Sequence, residues 1–417
     1  MGKSLHDRSR LAAALAFCGA ATLATAAYAD DVAPAPADPV PAGASVAEFP
    51  VSQPQGPVEP PTEPEKKRFV DRLFDEQDGM LDFSEILAKG GFLPVLIVIT
   101  EKAVDGGYGV APAFLSADPN NPRLVTKHIF GAFKTGNGSN GFGYFQAGYA
   151  AHGRLSYKFG VAHGKVTLGS YPAFLPKGVE YTSHYDYGLL GSALWKLNDE
   201  RFSIGPLFDF RKLNSQIDIR GLPPRFADHF GGAMQTGALG LGFHFDDRDN
   251  PLSPTNGLNV LVEGKFNRDA FGSDRDYETY DAAVFAFHKL SPRLGLGFKL
   301  EANAIRNDFP VYYAPAIDLR GVEAMRYEGE DVVSSEVEAT WRLNPRWSLL
   351  AFAGVGSTKA GNSRIYKDSG PIYAGGAGFR YRLARKLGLD AGIDVAYGPD
   401  GATFYIQFGH AWALKMD

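Results

Sequence analysis

The feature that most constrains this chain is a period-two alternation of apolar and non-apolar residues, recurring from about residue 106 to the C-terminal end. In 294–304 one face reads Leu294, Leu296, Phe298, Leu300, Ala302 and Ala304, and the other Gly295, Gly297, Lys299, Glu301 and Asn303. In 333–343, Val333, Val337, Ala339, Trp341 and Leu343 alternate with Ser334, Glu336, Glu338, Thr340 and Arg342. The stretches 375–383 and 387–396 repeat the pattern, with Gly376, Gly378, Arg380 and Arg382, then Gly388, Asp390, Gly392 and Asp394, on the non-apolar face. Side chains of a strand point alternately to its two faces, so this periodicity reads as β-structure. The non-apolar face decides which kind. A soluble sandwich would offer Lys, Thr and Ser to bulk water, whereas here glycine accompanies acids and bases together. Small residues and opposite charges suit the crowded polar lumen of a closed barrel whose apolar face meets lipid. The expected fold class is therefore all-β, a transmembrane antiparallel β-barrel. Beyond the first thirty residues no apolar run reaches the length of a membrane-spanning helix, and the longest, Leu93 to Ile99, is broken by Pro94.

Composition agrees. Glycine numbers 49 of 417 residues, well above the usual share of about 7%, and aromatics reach 13%. With 42 basic against 47 acidic residues there is no excess charge to neutralise phosphates, which argues against a nucleic-acid partner. A single cysteine, Cys18, excludes a disulfide framework and a cysteine-based metal site.

Fifteen strand-like segments can be marked, near 106–116, 124–134, 141–151, 154–171, 179–197, 201–218, 236–248, 258–267, 277–290, 294–307, 332–343, 347–357, 373–383, 387–397 and 402–412. A single-chain bacterial barrel with both ends on one side needs an even number. A turn at His163-Gly164 would divide 154–171 and give about 16 strands, with fourteen or twelve as alternatives.

The N-terminal part is of another kind. Lys3, Arg8 and Arg10, an apolar stretch from Leu11 to about Leu23, and Ala27-Tyr28-Ala29 lay out a signal peptide over 1–29. Acylation of Cys18 is disfavoured by bulky Phe17 before it. Residues 30–66 carry ten of the 27 prolines and read as a disordered periplasmic linker. A short lead, 67–104, precedes the barrel at 105–417. Within the lead Asp78, Gly79, Asp82 and Glu85 match the second half of a calcium loop. Its first position would be Phe74, which cannot bind metal, and its third Glu76, so a structural turn is the preferred reading and no metal or cofactor is expected.

Two motifs carry a family resemblance. Residues 246–257, DDRDNPLSPTNG, form a tight turn in which Pro251, Pro254, Asn256 and Gly257 are turn formers and the acids can accept backbone N–H bonds. With Asp246, Arg248, Asp249, Pro254 and Gly257 in place, the string resembles the periplasmic turn of BamA/TamA-type outer-membrane proteins, the bacterial surface antigen family. The second motif, Leu319-Arg320-Gly321-Val322, lies in a long connection between about 308 and 331 and resembles that family's lumen-loop tip. There the resemblance implies an arginine paired with acids of the barrel wall, and an arginine inside a barrel needs carboxylates in any case. Candidate partners are Glu336, Glu338, Asp390 and Asp394. The family's usual wall acid is replaced: in Phe352-Ala353-Gly354-Val355-Gly356 the acidic place holds Gly354. About 75 positions between 30 and 104 leave no room for a train of POTRA domains, and the lead GGFLPVLIVITEKAVDGGYG resembles the entry into the first strand of a shorter, POTRA-less branch. The C-terminal GATFYIQFGHAW places Phe404, Ile406, Phe408, His410 and Trp412 outward in alternation and resembles the terminal-strand signal read by the barrel-assembly machinery.

The resemblance implies a barrel of the Gram-negative outer membrane that acts in outer-membrane biogenesis or polypeptide transport. Its partners would be outer-membrane lipid, the barrel-assembly machinery during its own insertion, and a polypeptide client. A passive channel for small solutes and a structural surface antigen are the competing readings. No G-x-S-x-G, P-loop or H-E-x-x-H motif is present, and His244, inward among Gly240 and Gly242, reads as a lumen hydrogen-bonder, so no enzyme is expected.

Overall fold

The computed structural model describes residues 73–85, 91–93, 96–118, 121–170, 179–218, 232–310, 313–362, 365–412 and 415–416. The expected signal peptide, the Pro-rich linker and the start of the lead lie outside the described residues. Strand segments dominate: β1 (Gly91–Leu93), β2 (Leu96–Ile99), β3 (Gly107–Val110), β4 (Ala113–Asp118), β5 (Asn121–Thr135), β6 (Asn140–Ala150), β7 (Leu155–Ser170), β8 (Val179–Lys196) and β9 (Phe202–Asp218). They continue as β10 (Gly232–Asp246), β11 (Gly257–Asn267), β12 (Tyr277–Lys289), β13 (Leu294–Asn307), β14 (Asp331–Arg342), β15 (Trp347–Lys359), β16 (Ile372–Ala384), β17 (Leu389–Gly398) and β18 (Gly401–Phe408).

β1 pairs with β4 and β2 with β3, and β3 and β4 both pair with β5, so β1 and β2 make one interrupted strand and β3 and β4 the next. From there every segment pairs antiparallel with the next through to β18. The described residues thus make sixteen strands in a nearly closed antiparallel barrel. Both chain ends emerge at one rim, called here the near rim; the opposite rim is the far rim. Among the described residues no helix is long and apolar enough to cross a membrane.

The barrel is inside out relative to a soluble protein. Along β14 Val337 is 52% exposed while Glu336 beside it is 2% exposed. Lys299, Glu301, Ser334, Glu338, Arg380 and Asp394 are buried; Leu296, Phe298, Leu349, Phe379, Val395 and Phe404 are exposed. An exposed apolar belt around a buried polar interior is stable only if lipid covers the belt.

Two expectations need correction. Segment 154–171 does not divide at His163-Gly164: β7 is one strand with a register shift between Ala162 and Gly164. A Cβ on Gly164 would lie 2.5 Å from the Asn140 carbonyl oxygen, so this glycine permits a close approach to β6 rather than a turn. The sixteenth strand comes instead from the lead, where sheet pairing begins at Gly91 rather than at 105. Nor is the lumen polar throughout. β7, β8 and β9 run 16, 18 and 17 residues, beyond the roughly 9–11 that cross a bilayer. Toward the far rim Val166, Leu168, Tyr181, Tyr185, Leu213 and Met234 pack inward on Ile97, Ile99, Ile129 and Phe133 as an apolar cluster.

Candidate functional site: the plugged lumen

The connection between β13 and β14 folds back on itself. The Ile317 N–H donates to the Tyr327 carbonyl at 2.9 Å, and Ala316 and Glu328 form a β-bridge. Its tip, Leu319 to Val322, enters the lumen, where Ile317, Leu319 and Val322 are buried with Val332 and Ala374. Contact with β17 is close. Gly321 sits at φ 97°, and a Cβ on Gly398 would lie 2.1 Å from the Gly321 carbonyl oxygen, so both positions require glycine. The Gly321 N–H donates to the Tyr405 hydroxyl at 2.9 Å.

This placement drives Arg320 into the charged wall. Its Nε and Nη2 donate to Glu336 Oε1 at 3.0 and 2.7 Å, Nη2 also to Glu338 Oε2 at 2.7 Å, and Nη1 to Asp394 Oδ2 at 2.9 Å. The guanidinium carbon stands 3.6 Å from the centre of the Phe352 ring, a stacking that a planar guanidinium allows. Arg380 pairs with the same Asp394, Nη2 to Oδ2 at 2.9 Å. Of the four candidate partners, Glu336, Glu338 and Asp394 thus surround Arg320, whereas Asp390 pairs with Arg382 nearer the rim. Charges so buried hold together because each finds several partners. Gly354 has no acid to offer but leaves space: a Cβ there would lie 2.8 Å from Leu319 Cδ2.

The turn 246–257 closes as its composition demands. Asp247 Oδ1 accepts the Leu258 N–H at 2.6 Å, Asp249 Oδ1 the Thr255 N–H at 2.8 Å, and Asn250 Oδ1 the Leu252 N–H at 2.7 Å. Gly257 takes φ 110°, and Pro254 is buried. Arg248 is held by Asp246, Nη2 to Oδ2 at 2.7 Å, and also reaches the Met416 carbonyl oxygen at 3.4 Å.

That last contact leads to residues the sequence pattern missed. β18 ends at Phe408, and Gly409 at φ 74° redirects the chain. His410 and Trp412, expected on the outward face, turn into the lumen instead. The His410 N–H donates to the Leu252 carbonyl at 2.6 Å, and its Nε2 stands 3.3 Å from Glu338. Trp412 packs on Phe285, Phe287 and Met416, and its indole N–H donates to Glu336 Oε1 at 2.8 Å. Lys415 bonds Glu301 at 2.6 Å and pairs with Asp318 of the loop. Loop and tail therefore meet in the lumen, one entering from each rim. His244 lies on the inner wall, 2.8 Å from the Asn259 amide.

The lead segment docks on the near rim through carboxylates. Asp75, Asp78 and Asp82 each place an oxygen 2.6 Å from the Arg346 guanidinium, and Arg385 also pairs with Asp75. Asp78 and Asp82, considered as calcium ligands with Glu85, converge with Asp75 on an arginine; among the described residues no group of three or more His, Cys, Asp or Glu is arranged to hold a metal ion. Hydrogen bonding from Arg385 lowers the Asp75 pKa and from Arg346 that of Asp78. Burial pushes the Asp82 carboxyl up, but hydrogen bonds from Ser84 and Arg346 outweigh it and leave it lowered.

No family model and no curated protein sequence matches the chain. Solved structures do. BamA from Haemophilus ducreyi lacking POTRA domains 1–3 superposes with a TM-score of 0.54 at 10% identity, over 77% of this chain and 70% of that one. The chain has the BamA-type barrel fold. CdiB from Escherichia coli gives a TM-score of 0.52 at 10% identity, over 76% of this chain and 61% of CdiB, so this chain spans less than two thirds of CdiB. In this BamA-type barrel five strands follow the lumen loop and eleven precede it.

Proposed function

We propose that this barrel sits in the outer membrane of a Gram-negative bacterium and acts in outer-membrane biogenesis or polypeptide transport. It belongs by this reading to the BamA/TamA family. The observation that carries the proposal is the seam. Each neighbouring pair of strands from the first to the last forms a ladder, but among the described residues no ladder joins β18 to β1 or β2. β18 has eight residues, and its ladder partner among them is β17. An edge of this kind in a bilayer exposes backbone N–H and C=O groups that cannot be hydrated, and a client strand can satisfy them by adding to the sheet. The lumen loop and the tail fill the interior, so the side of the barrel is the more open route. No enzymatic step is part of this proposal.

A photocrosslinking amino acid at Phe404 of β18 or Val98 of β2 should capture extending outer-membrane proteins in cells, while the same probe at Val337 on the distant wall should not. Equal capture at all three positions removes the reading. A second reading, a passive channel for small solutes, draws on a polar vestibule at the near rim lined by Thr340, Arg342, Ser348, Arg382 and Asp390. A large steady conductance of the unaltered protein in planar bilayers favours that channel; rare flickering favours the plugged, seam-opening barrel.

A further inference from the structure

The docked lead segment has two faces. Leu73–Asp75 and Met80–Asp82 run antiparallel, with the Asp75 N–H donating to the Met80 carbonyl and the Asp82 N–H to the Leu73 carbonyl, both at 2.8 Å. Gly79 at φ 65° closes the turn between them. Phe74 and Leu81 are the bridged pair, and bridged residues project their side chains to the same side. Alternation then sends Asp75 and Asp82 to the opposite side, where they meet Arg346 and Arg385. The acidic face is consumed by the barrel. The apolar face is not: Phe74 is 47% and Leu81 39% exposed.

The position of that face identifies what it meets. The Tyr381 hydroxyl donates to the Leu81 carbonyl at 2.6 Å, and the Tyr381 ring lies 4.9 Å from that of Trp347. Trp347 follows Arg346 directly and is 38% exposed; with Trp341 and Leu343 it forms the near-rim end of the lipid-facing belt. Aromatic side chains at a barrel's rim mark the membrane–water interface. Phe74 and Leu81 thus continue that girdle outward at a depth fixed by Tyr381.

We propose that residues 73–85 form an interfacial wedge, in which Arg346 grips the acidic face and Phe74 and Leu81 enter the headgroup region of the leaflet at the near rim. The partner is the lipid surface itself. This inference needs the barrel to be in a membrane but is independent of any role in assembly or transport.

The test uses full-length protein with Cys18→Ser and a single cysteine at Phe74, Leu81 or Gln77, labelled with an environment-sensitive fluorophore and reconstituted in phosphatidylcholine vesicles. Heat-modifiability confirms that each variant is folded. Labels at 74 and 81 should emit further to the blue than the label at 77 and be quenched by lipid carrying a shallow nitroxide, with little quenching by aqueous iodide. Iodide quenching equal to that at 77 overturns the wedge, and protection from both quenchers overturns it in favour of a covering protein segment. Arg346→Ala should abolish the lipid quenching at 81; unchanged quenching overturns the grip assigned to Arg346.

Discussion

Arg320 and Trp412 share one carboxylate oxygen: Glu336 Oε1 accepts from Arg320 Nη2 at 2.7 Å and from the Trp412 indole at 2.8 Å. A loop entering from the far rim and a tail entering from the near rim are therefore joined through a single wall residue. Asp318 and Lys415 join them a second time. Such coupling makes the two plugs one unit, and perturbing either should be felt by the other.

Arg320→Ala leaves Glu336, Glu338 and Asp394 buried with one fewer cation. Removing one partner from a buried ion network costs on the order of 3–5 kcal/mol. The loop 308–330 should become protease-sensitive and the heat-modified band should appear at lower temperature. Arg320→Lys should fall between the two, because an ammonium cannot reach three carboxylates in fork geometry or stack on Phe352. Protease resistance unchanged in the alanine variant would remove the loop-holding role.

Truncation after Phe408 removes the tail while leaving all sixteen strands. Planar-bilayer recordings should show a larger and steadier conductance than the full chain, with Arg248→Ala, which frees Asp246 and loses the contact to Met416, giving a smaller change in the same direction. A truncated barrel that conducts no better than the full chain would mean that the loop alone seals the lumen.

Gly354 occupies the place where the family pattern has an acid. Restoring the acid should weaken the plug rather than strengthen it, because the first side-chain carbon would already stand 2.8 Å from Leu319 and 2.9 Å from the Ser335 carbonyl. Gly354→Asp is expected to lower the unfolding temperature in detergent, with overpacking worth about 1–3 kcal/mol. A rise in stability would show that the loop can shift to accept a fourth wall acid.

What could be read in the sequence, and what could not, follows from which face was chemically distinct. β13 and β14 were legible because Lys299, Glu301, Glu336 and Glu338 alternate with lipid-facing apolar residues, so the period was visible. β2 was not, because its inward Ile97 and Ile99 join an apolar cluster and its outward Leu96 and Val98 are apolar too; no polar phase marks it. His163-Gly164 looked like a turn because glycine serves turns and close strand approaches alike. The three acids around Arg320 were nameable from wall alternation, while Asp390 lies one strand-turn nearer the rim, within reach of Arg382. The tail escaped because the alternation continues through Trp412 on paper; Gly409 ends the strand, and Trp412 finds a carboxylate inside. Arg346 carried no sequence signal as the receptor of Asp75, Asp78 and Asp82, since the two lie more than 260 positions apart.

Docking of residues 73–85 should depend on pH in one direction. Asp75, Asp78 and Asp82 all sit below the usual aspartate range, and the Asp78 contact holds Arg346 above the usual arginine range. The docked segment therefore binds fewer protons than the released one. Its stabilisation is fully present above the ordinary aspartate pKa of about 3.9 and is lost as pH falls below that value through the lowered pKa values of the docked state. Limited proteolysis at the segment, with an acid-tolerant protease, should be flat from neutral pH down to about pH 5 and accelerate below about pH 4. Asp82→Asn should move the onset of cleavage to higher pH, because it removes one carboxylate from Arg346 while the neutral amide still offers an oxygen to the Arg385 N–H. Arg346→Ala should leave the segment cleavable even at neutral pH. Acceleration on raising the pH instead would show that a group of the opposite sign controls docking.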